Sequence, residues 1–293
     1  MEAHRTHVIG GGRRSPQAAP VPEGDTIFRA ARRLHAALVG RVLVRFDGPP
    51  STASRVGRVV VDVRSRGKHL IVAFDDGLLL CTHLLMNGSW HVQRVGEPWR
   101  KPATRATVVM ENDAWTVVGF DLPIARFARS EAHVPQLARL GVDLLSETSI
   151  DVALPRLRAL GDVPIGVALM RQQAVAGIGN VYKSEVLFLE RVDPFARLAD
   201  VDDATLRRVL ERARTSMREN LGGGRRTTRR GEGGRHWVYD RSGAPCFVCG
   251  TLVRMRRQGD DGRSTYWCPQ CQPSVVRPLS DARATTRSLG ESE

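Results

Sequence analysis

The chain has 293 residues, 42% of them hydrophobic, and a net charge of +13. That size and apolar content exclude global disorder and allow two domains, or one large domain with a smaller module. No apolar run approaches the ~20 residues of a membrane span, and no apolar leader opens the chain. A soluble cytoplasmic protein is therefore expected, with a surface that seeks polyanions, nucleic acid first. Only three of the 44 basic residues are lysine: Lys68, Lys101 and Lys183. The many arginines suit bidentate phosphate contacts.

Residues 1–21 show no helical or strand period and read as a disordered extension, outside the mature protein. In residues 22–40, Ile27, Ala31, Leu34 and Leu38 recur at helical steps. Asp25 can cap the start of this helix and Gly40 can stop it. From Arg41 to Phe120 the period becomes two. Val42, Val44 and Phe46 alternate with polar residues, as do Val59, Val61 and Val63. Asp76-Gly77 and Asn112-Asp113 each separate two apolar runs, the mark of a hairpin. Hairpins without intervening helices predict an antiparallel sandwich. Cys81 falls in an apolar run and reads as core.

The helical period returns after Gln136. Helices are expected at residues 154–160 and 164–175, then after a break at Gly177-Ile178-Gly179-Asn180, and again at residues 203–220. Tyr182 and Lys183 read as solvated helix residues. A loop rich in Gly and Arg covers Gly222–Arg235. Cys246-x-x-Cys249 and Cys268-x-x-Cys271 follow, with 18 residues between the pairs. That is the spacing of a four-thiolate structural zinc site with no open coordination position. A reducing cytosol disfavours two disulfides instead. The residues between the pairs alternate like two strands, so Arg263 lies near the tip of a hairpin that can reach DNA. The tail from residue 274 reads as disordered.

Pro22-Glu23-Gly24, Gly67-Lys68, Gly177-Ile178-Gly179-Asn180 and a final Cys271-Gln272 occur in this order. Together they resemble the formamidopyrimidine-DNA glycosylase/endonuclease VIII family over residues 22–273. The resemblance implies an α+β chain. Its parts are an N-terminal antiparallel β-sandwich with a leading helix (22–135), a helix–two-turn–helix domain (136–235) and a C-terminal β-hairpin zinc finger (236–273). It also implies one structural zinc ion and a monomer acting on damaged double-stranded DNA and abasic-site DNA, in a cytoplasmic, nucleoid-associated setting.

The implied chemistry explains the residues. The secondary amine of an N-terminal proline, here Pro22, attacks the sugar C1′ and becomes an iminium. Its charge acidifies the C2′ hydrogen, and β and δ elimination of the flanking phosphates follow. Glu23 matches the acid/base residue and Lys68 the proton donor and phosphate ligand. Arg263 joins this catalytic set from the finger. The target nucleotide must leave the stack, and Leu85 and Met86 at a hairpin tip match void-filling residues. Arg139, Asn180 and, more weakly, Tyr239 match DNA contacts; the glycines before Asn180 would let helix-start amides approach a phosphate.

An amide nitrogen cannot be the nucleophile, so the residues before Pro22 must be absent from the active protein. Val21, read as a GTG start codon, is the expected point of initiation. Asp25 after Gly24, and Ile124–Ala128 where the purine branch carries Arg-Arg-Phe-Gly, favour oxidised pyrimidines as the excised bases. Two alternatives stay open: an oxidised-purine glycosylase on the same scaffold, and a non-catalytic zinc-finger DNA-binding protein that retains the extension.

Overall fold

The computed structural model describes residues 22–49 and 54–274. The expectations for residues 1–21 and for the tail beyond Ser274 lie outside the described residues. Helix α1 (Gly24–Leu38) buries Ile27, Ala31, Leu34 and Leu38 on one stripe, as its spacing predicts. Burying Ile27, Leu34 and Leu38 contributes about 1.5–3 kcal/mol each. Val39 then turns out of the helix, and Gly40 takes the left-handed conformation (φ 77°) that stops it. The start differs from expectation. Asp25 lies inside the first turn, and Glu23 holds the N-cap position in an extended conformation with no side-chain bond to its own helix.

Eight strands follow: β1 (Arg45–Asp47), β2 (Val60–Arg66), β3 (His69–Phe74), β4 (Leu79–His83), β5 (Ser89–Arg94), β6 (Ala106–Glu111), β7 (Trp115–Phe120) and β8 (Ile124–Ala128). They form two four-stranded sheets, ordered β1-β6-β7-β5 and β2-β3-β4-β8, antiparallel throughout. Both expected hairpins are present. Gly77 supplies the positive φ at the first. At the second, buried Asn112 accepts from the Ala114 and Trp115 amides and donates to the Ala37 carbonyl, tying the turn to α1. The alternation through Val59, Val61 and Val63 fails at one point. A bulge between Val60 and Asp62 buries Val60 and Val63 and leaves Val61 49% exposed. Side chains from α1 and from both sheets share one core that includes Leu34, Leu70, Phe74, Val108 and Val117.

The helical part comprises α2 (Pro135–Ala138), β9 (Val142–Asp143), α3 (Ala153–Arg158), α4 (Ile165–Ala168), β10 (Val175–Ala176), α5 (Asn180–Leu189) and α6 (Asp203–Arg218). The helix expected over 164–175 is therefore much shorter. Val175 and Ala176 instead pair in parallel with Val142 and Asp143. Gly141 permits this contact, because a Cβ there would meet the Ala174 carbonyl oxygen at 2.2 Å. Ile178, Tyr182, Val186 and Leu187 pack with Leu206, Leu210 and Met217 in a second core. A smaller cluster, Ile71, Cys81, Val134, Leu137, Leu140 and Ala176, joins the sandwich to the helices. Cys81 is core, as expected.

The C-terminal hairpin consists of β11 (Arg254–Gln258) and β12 (Arg263–Trp267), paired antiparallel. Beside it, Val238, Val253, Cys246 and Cys268 cluster with Phe188 of α5, and Tyr266 of β12 packs against them.

Asn112→Ala should lower stability by about 1–3 kcal/mol, read as a lower urea midpoint, because a buried carbonyl and two turn amides lose their partner. A midpoint equal to that of the parent chain would show that the turn is held by the ladder alone.

Candidate active site

Three turns converge where the sandwich meets the helices. The first carries Pro22 and Glu23. The Glu23 carboxylate is fully buried, and it accepts from the amides of Gly179 (2.8 Å), Val181 (2.8 Å) and Tyr182 (3.3 Å). These are the unpaired N–H groups at the start of α5. Gly179 is the N-cap of that helix and has no side chain to serve them. Glu23 therefore caps α5 from 156 residues away. The Gly24 amide donates to the Gly177 carbonyl at 2.9 Å and locks the two turns together.

This geometry adds a second reason for the glycine-rich turn. Glu23 takes the amides of Gly179, Val181 and Tyr182, and that of Asn180 is not among them. Gly179 is required because an added Cβ would meet Glu23 Cδ at 2.3 Å. Gly177 lies at φ 106°, a conformation that favours glycine. Asn180 remains half-buried beside it. Its Nδ2 approaches Ser264 Oγ at 3.5 Å, and its Oδ1 accepts from Lys183 Nζ at 3.3 Å.

The second turn joins β2 to β3 at Gly67-Lys68. The Gly67 amide donates to Asp143 Oδ2 at 2.7 Å, which docks the turn on β9. Burial lowers the Lys68 amine to about 8; Glu23 opposes the shift, and Arg263 and Arg226 add to it. Lys68, Glu23, Arg226 and Arg263 thus act on one another electrostatically. Arg263 itself is exposed, at the first residue of β12.

The third turn lies in the Gly222–Arg235 loop, and here residues escaped the sequence reading. Asp25 is fully buried and pairs with Arg226, Oδ1 to Nη2 at 2.5 Å and Oδ2 to Nε at 3.1 Å. Arg226 Nη1 also lies 3.5 Å from Glu23 Oε1. The two carboxylates hold this arginine's pKa above its ordinary value although burial opposes them. Glu185 of α5 is equally buried. It accepts from the amides of Trp237, Val238 and Tyr239 and from the Thr228 hydroxyl. Burial raises its pKa, with these donors opposing.

Tyr182 and Lys183, expected to be solvated, are 0% and 1% exposed. Tyr182 packs in the helical core under Arg226, whose guanidinium lies 5.0 Å from its ring. Burial lowers the Lys183 amine to about 8. None of these partners is close in sequence, so no local motif could have revealed them.

Leu85 and Met86 sit on the turn between β4 and β5, 46% and 50% exposed. Leu85 is left-handed (φ 45°), a conformation that costs a branched residue roughly 1–2 kcal/mol. The turn is held by Leu85 N–H to His83 Nδ1 at 3.0 Å and by Gly88 N–H to the Leu84 carbonyl at 2.9 Å. Arg139 is exposed at the C-cap of α2. Tyr239 is half-buried, its ring 5.1 Å from that of Tyr266, and burial pushes its hydroxyl up to about 12. The stretch Ile124–Ala128 is strand β8, with Arg126 exposed and Phe127 turned onto Phe46 and Phe74.

The sulfur atoms of Cys246, Cys249, Cys268 and Cys271 all lie within 4.8 Å of one another. A tetrahedral ion with 2.3 Å bonds to sulfur would hold its ligands about 3.8 Å apart, so the four fit one structural zinc. The donor set leaves no coordination position for chemistry.

A carboxylate sealed between helix starts, beside a proline and a lysine of depressed pKa, belongs to an enzyme built for acid–base and amine chemistry; the basic finger beside it suits a nucleic-acid substrate. Comparison with known proteins sharpens that class. The formamidopyrimidine-DNA glycosylase N-terminal domain matches residues 21–121, and the H2TH domain of the same enzyme matches 140–231. A zinc finger found in FPG and IleRS matches 243–273. The "Probable endonuclease 8 2" of Streptomyces coelicolor is 40% identical, over 86% of this chain and 94% of its own length. The "DNA-(apurinic or apyrimidinic site) lyase Nei2" of Mycolicibacterium smegmatis is 38% identical, over 86% and 99%. The MutM (Fpg) structure from Thermus thermophilus superposes with a TM-score of 0.69 at 29% identity, over 86% of this chain and 98% of that one. A Lactococcus lactis Fpg complex with abasic-site DNA shares the fold at a TM-score of 0.72 and 20% identity, over 86% and 100%. The chain belongs to the formamidopyrimidine-DNA glycosylase/endonuclease VIII family.

Gly179→Ala must push the Glu23 carboxylate aside. A displacement of about 1 Å in such a site costs roughly a hundredfold in rate. Single-turnover cleavage of damaged DNA should fall by that order; an unchanged rate would show that Glu23 does not depend on the α5 cap.

Proposed function

We propose that this protein is a bifunctional DNA glycosylase and abasic-site lyase of base excision repair, acting through the amine of Pro22. The observation that carries the reading is Glu23, buried against the start of α5 and adjacent in sequence to Pro22 at the start of α1. The helix-start dipoles of α1 disfavour a protonated amine at Pro22 and favour its nucleophilic form. The amine attacks C1′ as the C1′–N bond to the base breaks, the amine gives up its proton and the base leaves with one. The C1′–O4′ bond then opens, O4′ takes a proton, and the nitrogen lone pair forms the C1′ iminium. The iminium withdraws electrons, the C2′ proton is removed, and the C–O bond to the 3′ phosphate breaks. A second elimination releases the 5′ phosphate.

Glu23 moves protons at the sugar and base, and Lys68 serves as proton donor and phosphate ligand. Arg263 and Asn180 hold phosphates, with Arg139 and Tyr239 further along the strand. Leu85 and Met86 fill the stack left by the extruded nucleotide, and their exposed, strained turn supports that role. In this division the sandwich occupies 22–135, the helix–two-turn–helix domain 136–235 and the zinc finger 236–273.

Oxidised pyrimidines are the favoured bases. Relatives at 38–40% identity carry the endonuclease 8 or Nei2 name, while a formamidopyrimidine-DNA glycosylase of Burkholderia ambifaria is 33% identical. The enzyme works as a monomer on duplex DNA in the cytoplasm, at the nucleoid. No helix among the described residues is long and apolar enough to cross a membrane.

The deciding test is borohydride trapping on abasic DNA. A chain beginning at Pro22 should form a covalent adduct that maps to Pro22 and should cut on both sides of the sugar. The 293-residue chain should bind the same DNA without a Pro22 adduct, since an amide nitrogen delocalises its lone pair into the carbonyl. Equal adduct yields from both chains, mapped to a lysine, would refute Pro22 as nucleophile.

Lys68 sets an alkaline limit. Its folded value of about 8 lies below the ordinary 10.5, so it loses its proton as pH rises through about 8. The kcat/KM for lesion excision should then fall about tenfold per pH unit above that point. Arg263→Gln removes a cation that lowers Lys68 and should move the limb upward. Lys68→Arg should abolish the limb below pH 10. A profile that stays flat to pH 10 in the parent enzyme would exclude a protonated Lys68 from the rate.

A further inference from the structure

We propose that Lys183 is a positioning residue that sets the register of the finger strand β12 against α5 and so places Arg263 beside Asn180 for one DNA strand. The inference rests on Arg263 being a DNA contact, as assigned above.

Asn180, Lys183 and Ser184 lie three and four residues apart, on one face of α5. Their partners are three consecutive residues of β12. Asn180 Nδ2 approaches Ser264 Oγ at 3.5 Å. Lys183 Nζ donates to the Ser264 carbonyl at 3.0 Å and to Thr265 Oγ1 at 2.8 Å. The Tyr266 amide donates to Ser184 Oγ at 3.3 Å. The helix face thus reads the strand residue by residue.

Lys183 stands at the centre of this seam. A protonated amine has three N–H groups, and three acceptors surround it: Asn180 Oδ1, the Ser264 carbonyl and Thr265 Oγ1. Thr265 passes its own proton to Gln258 Oε1 at 3.0 Å, and Gln258 Nε2 donates to the Pro194 carbonyl at 2.9 Å. With 1% exposure and its donors engaged, Lys183 is not itself a phosphate ligand. Arg263 directly precedes Ser264 in the strand. A slip of one residue would carry Arg263 about 3.3 Å along the strand and onto the opposite face. The seam is what forbids that slip. It also accounts for a cation at this buried point, where Glu23 favours its protonation and Arg263 and Lys68 oppose it: three acceptors converge there, and an ammonium carries three donors on one atom.

The test is a double-substitution cycle in the full chain, read as affinity for a duplex with a stable tetrahydrofuran abasic analogue. Arg263→Gln should weaken binding about tenfold or more. Lys183→Met, which keeps length but loses the donors, should also weaken it about tenfold. If Lys183 acts by placing Arg263, the double variant should bind within about twofold of Arg263→Gln alone. Thr265→Val is the milder companion, because it removes one acceptor without touching the amine. It should weaken binding severalfold, and that loss should also vanish in the Arg263→Gln background. Losses that multiply in both double variants, or full affinity in Lys183→Met and Thr265→Val, would overturn the positioning role. An Arg263→Gln chain that binds like the parent would instead remove Arg263 from the DNA interface, and the inference with it.

Discussion

The architecture turns on one carboxylate that caps a helix belonging to another domain. A helix start leaves unpaired N–H groups, and burying them without partners costs about 1–3 kcal/mol each. In α5 those groups are buried, and Gly179 offers no side chain. Glu23 meets the need from the far end of the chain. The cost of burying its charge is offset by three amides and by Arg226. Because both helix starts meet there, the sandwich cannot shift against the helices without breaking the cap. The bonds that hold the Glu23 carboxylate are therefore also bonds that dock the two domains.

The same economy fixes the loop from Gly222 to Arg235. Arg226 enters the seam and pairs with Asp25, one turn into α1. Thr228 binds Glu185, and Arg229 lies 3.7 Å over the Phe247 ring of the finger. The loop has little regular structure of its own, yet each of these side chains ends on a different element. Its shape is set by these long-range anchors, so substitutions elsewhere in the loop keep that shape only while Arg226 and Thr228 stay in place.

How much of this was legible in the sequence depends on the range of the interaction. The stripe of α1, the Asp76-Gly77 and Asn112-Asp113 hairpins and the cysteine pairs are local patterns, and each stands where its spacing placed it. The ordered set Pro22-Glu23, Gly67-Lys68 and Gly177–Asn180 brought the right turns together without showing why. Asp25 has the position of a cap, since acidic residues favour helix starts. Its true partner is 201 residues away. Lys183 and Tyr182 looked solvated because a polar pair in a short helix carries no sign of a strand docked on top of it. The helix expected over 164–175 yielded to a two-residue parallel ladder, which no single-segment period could announce. The bulge at Val60 likewise shifted a clean alternation by one residue.

What the seam leaves unbalanced is charge, and that imbalance faces the substrate. Glu23 and Asp25 confront Arg226, Lys68, Lys183 and Arg263. The first arginine pairs with both carboxylates, and burial depresses the two lysines, with Glu23 opposing and neighbouring cations adding to it. Arg263 lowers both lysines, and Lys68 lowers Lys183. A phosphate entering between Lys68 and Arg263 would replace that repulsion with attraction, and partly buried charges feel such a change far more than solvated ones.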